Sequence, residues 1–586
     1  DGTGSGLYVT SDGAITLQDV VAIGNSGGFG ASLVNTTAAT AAKVTLTTGE
    51  FSDNSTYGLF VSSHGAITLR EVTAESNDGG YGAFVRNDGV TSPVAVSLTS
   101  SAFNGNDTFG LQVFSRGAIT LNAVEAIKNA GGNGAFLDNH TGAGAISITS
   151  SEFTANFDGG LAAWSHGAIT ATDLTAVGNT ALGDGYNGVD LFNSYTGVTA
   201  GITLTGINIF TDNDASGLVI TSNGAVKLAN VLANANEDRG LHVNNTPSDR
   251  AQPVTLSGSS TFKYNGGTGV AIDSDGKVSL SNIIANANGD AGAAIDNTTG
   301  TADVVLTGAS TFNTNNTFGL YVRSAGAIKA SNLTANDDGA LMGFGNGAYL
   351  NNTSAASARA VTLTGVNVFL RDPGGLHITS NGAISISNLT ASDSSGVGAD
   401  LDNTTAVSAQ KITLSGTNVF DDNYSSGLAA RSDGAITINS LRASRNGLLA
   451  ALGYGADLDN SSAATPQPVK LTGVSLVSGN NNDGLLIVSR GAISVASLTA
   501  TGNGAGTSSG RGAWLRNNVA DAAGAVSLSG TNVFSGNDGI GLYVQSVGAI
   551  QVSNATATSN ELQGIVLQNL DAPAASPQNV TLTGTT

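Results

Sequence analysis

The chain has 586 residues, 80 of them Gly and none Cys, and its 22 Lys+Arg against 43 Asp+Glu give a net charge of −21. With no basic run to offset that charge, nucleic acid and an anionic membrane surface are excluded as partners, and zero Cys excludes disulfides, thiolate catalysis and Cys-held metals. A content of 40% apolar and 11% charged residues allows a large buried core, and no segment reads as a signal peptide or membrane span, so any export signal is expected outside the sequence.

The pattern Gly-Leu-x-Val/Ile followed by Gly-Ala-Ile recurs from Gly6 to Gly541 at spacings of about 50 to 57 residues. This period lies outside the common helical repeats, and no stretch keeps apolar residues at i, i+3 and i+4. Each unit holds two similar halves, in the first Gly6-Leu7-Tyr8-Val9, Ile15-Thr16-Leu17 and Ala22 to Asn25, then Gly30-Ala31-Ser32-Leu33, Val44-Thr45-Leu46 and Phe51 to Asn54. Both halves alternate with period two and contain three short strands separated by Gly, Asn, Ser and Asp turns. That is one three-sided coil of a right-handed parallel β-helix. Residues 1–586 are expected to form a single continuous domain of eleven repeats and about 22 coils, on the order of 105 Å long at about 4.8 Å per coil.

Column by column, the halves share chemistry. Three residues before the last turn's Asn, odd halves carry Ala (Ala22, Ala74, Ala126) and even halves Phe (Phe51, Phe103, Phe153), with Val477 an exception. A ring flanked by two methyl groups has room that three stacked rings would lack, which gives the period of two coils. The Asn column runs from Asn25 to Asn560, with Asp338, Asp372 and Ser394 as substitutes; Asn tolerates the left-handed turn conformation, and stacked amides can bond along the axis. A second polar column alternates Ser11, Ser63 and Ser115 with Asn35, Asn87 and Asn139. Asn-x-Thr strings at Asn35 and Asn403 are read as part of this column rather than as glycan acceptors.

The tetrapeptides Phe51-x-x-Asn54, Phe103-x-x-Asn106 and Phe153-x-x-Asn156, set among repeated Gly-Ala-Ile, resemble the Phe-x-x-Asn and Gly-Gly-Ala-Ile repeats of the polymorphic outer-membrane proteins. More broadly they resemble the β-helical passengers of autotransporters and filamentous adhesins. The resemblance covers essentially the whole chain, with two departures: mostly one Gly precedes Ala-Ile, and the 586 residues include no membrane barrel. It implies a secreted or surface-anchored rod that adheres or scaffolds.

Outward positions of the first strand are the candidate contact surface. In the first third they are aromatic, at Tyr8, Phe60, Phe84, Phe114, Phe136, Trp164 and Phe192. Such a stripe contacts another protein or another copy, is covered by a loop, or stacks on sugar. Further along the face turns ionic at His377, Asp400, Asp402, Arg431, Asp457 and Asp459, with Arg431 expected between Asp402 and Asp459 in one column. A structural ion-pair ladder explains this set, and so does an acid–base pair of a polysaccharide lyase or glycoside hydrolase, or a calcium cage. Arg86, Asp138, Asp273, Asp296 and Arg323 are read as decoration of the same face. His64, His140, His166 and His242 show no metal-ligand spacing. A Thr column (Thr16, Thr45, Thr68) lacks the second column that ice binding would need, since Gln18, Arg70 and Asn122 stand there.

Four insertions fall at one turn, at Ala181–Tyr186, Gly339–Gly345, Gly447–Tyr454 and Gly504–Arg511. Two are apolar, through Leu341, Met342 and Phe344, and through Leu448, Leu449, Leu452 and Tyr454; they are a second candidate contact surface or fold down over the coils. The expectation is an extracellular or cell-surface structural protein, an adhesin stalk or a subunit of a filament or sheath, not an enzyme. The alternative is a polysaccharide lyase or glycoside hydrolase acting on the first-strand face. No cofactor is implied, calcium being the one cation the carboxylates would suit. The expected partners are other copies or adjoining repeats of a longer chain, and beyond these a cell-surface glycan or receptor. The chain begins directly before a coil and ends within one, so both ends are expected to be covered by further repeats or by copies.

Overall fold

The computed structural model describes the chain apart from residues 1–3, 38–40, 90–93, 181–186, 247–249, 340–342, 448–452, 506–508, 520, 523, 570–577 and 585–586. It contains two compact units, Asp1–Asp290 and Ala291–Thr586. Among the described residues both are built from strands alone, and no helix is long and apolar enough to cross a membrane.

In the first unit, first strands stack in parallel from Leu7–Thr10 through Leu59–Ser62, Leu111–Phe114 and Val189–Asn193 to Val270–Ser274. In the second unit the same column runs from Ala293–Asn297 to Ile565–Gln568. Register is kept residue by residue, Leu59 opposite Ala83 and Phe60 opposite Phe84. The period-two alternation therefore puts Leu59 and Val61 inside and leaves Phe60 and Ser62 outside. Second and third strands meet at a corner of one residue with positive φ. In the early coils this corner bends a single strand, as at Asp19 (φ 51) within Ile15–Val21; later it separates two, as Ser150 does between Ile146–Thr149 and Glu152–Thr154. In the second unit corners alternate Gly308, Asn332, Gly365, Asn388 and Gly416, the residues that occupy this region at least cost.

The Phe column is fully buried, including Phe51, Phe210, Phe262 and Phe534, and ring and methyl alternate along it: Ala126 faces Phe153, Phe262 faces Ala285, and Ala335 is flanked by Phe312 and Phe369. The Asn column forms a side-chain ladder. Asn77 Nδ2 donates to Asn106 Oδ1 at 2.8 Å, Asn106 to Asn129 at 3.1 Å and Asn129 to Asn156 at 2.8 Å. One reason given for Asn there needs correction. The left-handed residue is the one before it, Gly24, Asp53, Ser76 or Lys128, so Asn is required for its amide and not for its backbone. Asn35 and Asn403 are buried with Nδ2 bonded to carbonyls, Asn35 to Ala42 at 2.7 Å and Asn403 to Gln410 at 2.9 Å, which removes them as glycan acceptors.

Candidate functional site

On the first-strand face of the first unit, the rings form a connected belt. Phe29 stacks on Phe60 and Phe60 on Phe84, each pair with centroids 5.7 Å apart, the second within 8° of parallel. The contact passes from Phe84 to Phe114, then to Phe136, to Trp164 at 5.0 Å, to Phe192, and ends at Tyr195. The belt crosses between two outward columns, since Phe84 pairs with Gln112 and Arg86 with Phe114. Tyr8 stands apart: it is 69% exposed and opposite Ser32, so no neighbouring ring reaches it in register.

Sequence reasoning missed the flank of this belt. Tyr57, Tyr81 and Phe109 touch in series, Tyr57 to Tyr81 at 4.7 Å and Tyr81 to Phe109 at 5.5 Å. With Phe29 they occupy the position just before the strand-opening Gly in even coils and odd coils alike (Phe29-Gly30, Tyr57-Gly58, Tyr81-Gly82, Phe109-Gly110), a signal visible as an aromatic–Gly dipeptide. At the far end His166 packs on Tyr195 at 4.4 Å and His140 lies parallel to Tyr195 at 5.6 Å. Asp138 is not decoration: it is buried and accepts from the His140 backbone N–H at 2.9 Å, with His140 Nδ1 at 2.5 Å. Asp190, in the same face, is bonded by Asn187 Nδ2 at 3.0 Å, and burial pushes its carboxyl up to about 6 against that bond.

The ionic face belongs to the second unit. Its columns are as expected, Asp402 opposite Arg431 and Arg431 opposite Asp459, with His377 opposite Asp400 and Ala429 opposite Asp457. The ion pairing is not. Arg431 reaches diagonally to Asp400 Oδ1 at 3.0 Å, while Asp402 accepts from Thr404 N and Oγ1 at 2.8 and 2.7 Å and Asp459 from Ser461 N at 2.7 Å. A carboxylate two residues before a free N–H folds onto its own turn more cheaply than it orders a long Arg. His377 has both ring nitrogens engaged, Nδ1 with Asp400 at 3.4 Å and Nε2 with Thr379 Oγ1 at 3.1 Å, and lies flat on Tyr349 at 5.1 Å. Tyr349 in turn stacks on Tyr321 at 5.0 Å. Burial works to raise the Asp400 carboxyl, but the His377 bond and the Arg431 charge hold it below its ordinary range. Asp457 goes the other way, pushed up to about 6 by burial and the neighbouring Asp459. His377, Asp400 and Arg431 thus form one network, while Asp402 and Asp459 are bonded to their own turns.

Of the insertion residues, Leu341, Met342, Leu448, Leu449 and Leu452 lie outside the described residues, as does the whole of 181–186. Phe344 is 57% exposed. Tyr454 is half-buried, with its N–H directed at Ser426 Oγ at 3.3 Å. Two of the loops leave and return through glycines whose backbones press together, since a Cβ on Gly453 would collide with Gly447 and one on Gly510 with Gly504. Arg511, at the end of the last insertion, pairs with buried Asp483 at 3.3 Å and covers Trp514 at 4.1 Å, and Trp514 stacks on Tyr543 at 5.9 Å. This second, smaller aromatic group was not foreseen. Among the described residues no three His, Asp or Glu side chains are grouped to hold a metal ion.

The family model described as right handed beta helix region matches residues 1–181. No curated protein and no solved structure matches the chain. Each unit is all-β and built of stacked parallel coils, the right-handed parallel β-helix fold that adhesins and polysaccharide-degrading enzymes share.

Proposed function

We propose that the protein is an extracellular structural β-helix, an adhesin stalk or a subunit of a surface filament or sheath, and that the aromatic belt of its first unit binds a protein surface, in the first instance a second copy of the chain. The belt from Phe29 to Tyr195 carries this reading. Sugar stacking needs a free ring face, whereas the faces of Phe60 and Phe84 are turned on one another and each later ring of the belt packs against the next. A continuous row of rings over successive coils suits the side chains of an apolar protein patch. The network around Asp400 supports a structural role for the ionic face as well.

Light scattering and sedimentation over a range of concentrations test it, with the native chain beside Phe84→Ser and Trp164→Ser. Concentration-dependent association that both substitutions weaken is expected. A native chain that stays monomeric, or glycan binding lost on Trp164→Ser, would overturn the contact assigned to the belt. Release of reducing ends or unsaturated products from a polysaccharide, abolished by Asp402→Asn, would replace the structural reading with the enzymatic one.

A further inference from the structure

Two acids interrupt the amide ladder of the second unit. Asp338 and Asp372 stand at consecutive ladder positions, followed by Ser394, and both Asp side chains have 0% exposure. One oxygen of each keeps the acceptor role of an Asn. Asp338 Oδ1 receives Asn315 N at 2.8 Å and Nδ2 at 2.9 Å, and Asp372 Oδ1 receives Asp338 N at 2.8 Å. The other oxygen takes the place of the amide nitrogen: a Cβ on Gly319 would stand 2.5 Å from Asp338 Oδ2, as one on Gly82 would stand 2.6 Å from Asn106 Nδ2.

At that place the ladder needs a donor. Asn106 and Asn129 give Nδ2–H to the carbonyls of Ala74 and Phe103, each three residues ahead of the ladder position in the preceding coil. The register makes the carbonyls of Phe312 and Ala335 the counterparts for Asp338 and Asp372. Asp338 Oδ2, Asp372 Oδ2 and Ser394 Oγ are buried without a hydrogen-bond partner. Ionised, the two carboxylates would face carbonyl oxygens and one another across a single coil spacing of about 4.8 Å, in a site closed to water.

We infer that Asp338 and Asp372 are held as neutral carboxylic acids, each Oδ2 hydroxyl supplying the donor that the missing amide would have given, so that this stretch of the second unit is a clasp closed by two protons. A metal cation is the other way to neutralise the pair, but the acids fill the same gap against Gly319 and Gly347 that an amide fills elsewhere, and a cation needs several oxygens around an open centre. The charged neighbours lie on the outer side of the corner. Arg371 clasps Asp337 with two bonds of 2.7 Å; Asp337 adds to the pressure against ionisation, and Arg371 partly relieves it at Asp372.

Burial pushes Asp338 up to about 8 and Asp372, with the Asp338 charge adding to burial, up to about 9. Because these lie above the ordinary Asp value of about 4, the unfolded chain gives up the protons first. The stability the clasp contributes is whole below about pH 4 and is lost progressively as pH rises toward 8 to 9.

Melting temperatures of the native chain, Asp338→Asn, Asp372→Asn and the double variant from pH 4 to pH 9 test this, together with infrared spectra at neutral pH. The variants should match the native chain at pH 4 and melt progressively higher than it as pH rises. The native spectrum should show the carbonyl stretch of a protonated carboxylic acid that the double variant lacks. A difference independent of pH, variants less stable at neutral pH, or no such band in the native chain would overturn the inference. So would a native melting temperature raised by added calcium or sodium at pH 8 when that of the double variant is not. The infrared reading of the native chain stands even if a variant fails to fold.

Discussion

Gly110 and Asn129, which open and close one coil, are fitted to each other: a Cβ on Gly110 would stand 2.6 Å from Asn129 Nδ2. The amide can lie so close because Gly has no side chain, and only from there does it reach both Phe103 O at 3.1 Å and Asn156 Oδ1 at 2.8 Å. The recurring Gly that opens each first strand is therefore the counterpart of the ladder. Gly110→Ala should cost about 1–3 kcal/mol through overpacking, and Asn129→Ala a similar amount by leaving buried donors and acceptors unmet. The double variant should lose somewhat less than the two losses together, since removing the amide relieves one of the three close contacts of the Cβ, while Gly134 O at 2.6 Å and Phe103 O at 2.7 Å remain. Urea unfolding of the three proteins measures this, and full additivity would contradict the coupling.

The buried rings set a second scale. Phe210 is wholly enclosed, while Thr203 lies on the outer side of its strand. Phe210→Ala should cost about 3–5 kcal/mol by opening a cavity, and Thr203→Ala under about 0.5 kcal/mol. Equal losses would mean that the inward and outward faces have been exchanged.

The coil and its period were legible because each rests on a repeated, local requirement. Ring alternates with methyl at Ala126 and Phe153, and the ladder repeats one amide at every position but those of Asp338, Asp372 and Ser394. The ionic face shows where repetition stops helping. The column of Asp402, Arg431 and Asp459 was read correctly, but a long side chain chooses its partner from several columns, and Arg431 turned to Asp400. Asp138 was misread for a similar reason, since nothing at its own position marks the bond to the His140 backbone two residues on. Tyr57, Tyr81 and Phe109 sit in a turn, outside the strand alternation by which outward residues were found, so the flank of the belt escaped notice.

Opposite pH responses are expected on that ionic face. Asp400 is held below its ordinary range, so its contribution is present above about pH 4 and fades as pH falls further. Asp400→Asn should cost about 0.2–1 kcal/mol at pH 7, the range for partly exposed pairs, and nothing in strong acid. Asp457 is pushed up to about 6, so its protonated form favours folding below about pH 4 and that advantage is lost as pH rises through 6. Asp457→Asn should thus stabilise the protein at pH 7 and leave it unchanged at pH 4. Thermal melts at the three pH values distinguish these signs, and the same sign for both substitutions would contradict the charge pattern assigned to the face.

The two Trp residues provide a direct reading of the belt. Trp164 is 40% exposed among Phe136 and Phe192 in the first unit, whereas Trp514 in the second lies beneath Arg511, its ring centroid 4.1 Å from the guanidinium carbon. With only 2 Trp in the chain, Trp514→Phe leaves Trp164 as the single reporter and Trp164→Phe leaves Trp514. In dilute solution acrylamide should quench Trp164 more strongly than Trp514. Raising the concentration until copies associate should shift Trp164 emission to the blue and reduce its quenching, because contact replaces water at the exposed part of the ring. Trp514 should keep its emission and its quenching unchanged. Equal protection of both indoles would place the contact elsewhere than on the belt.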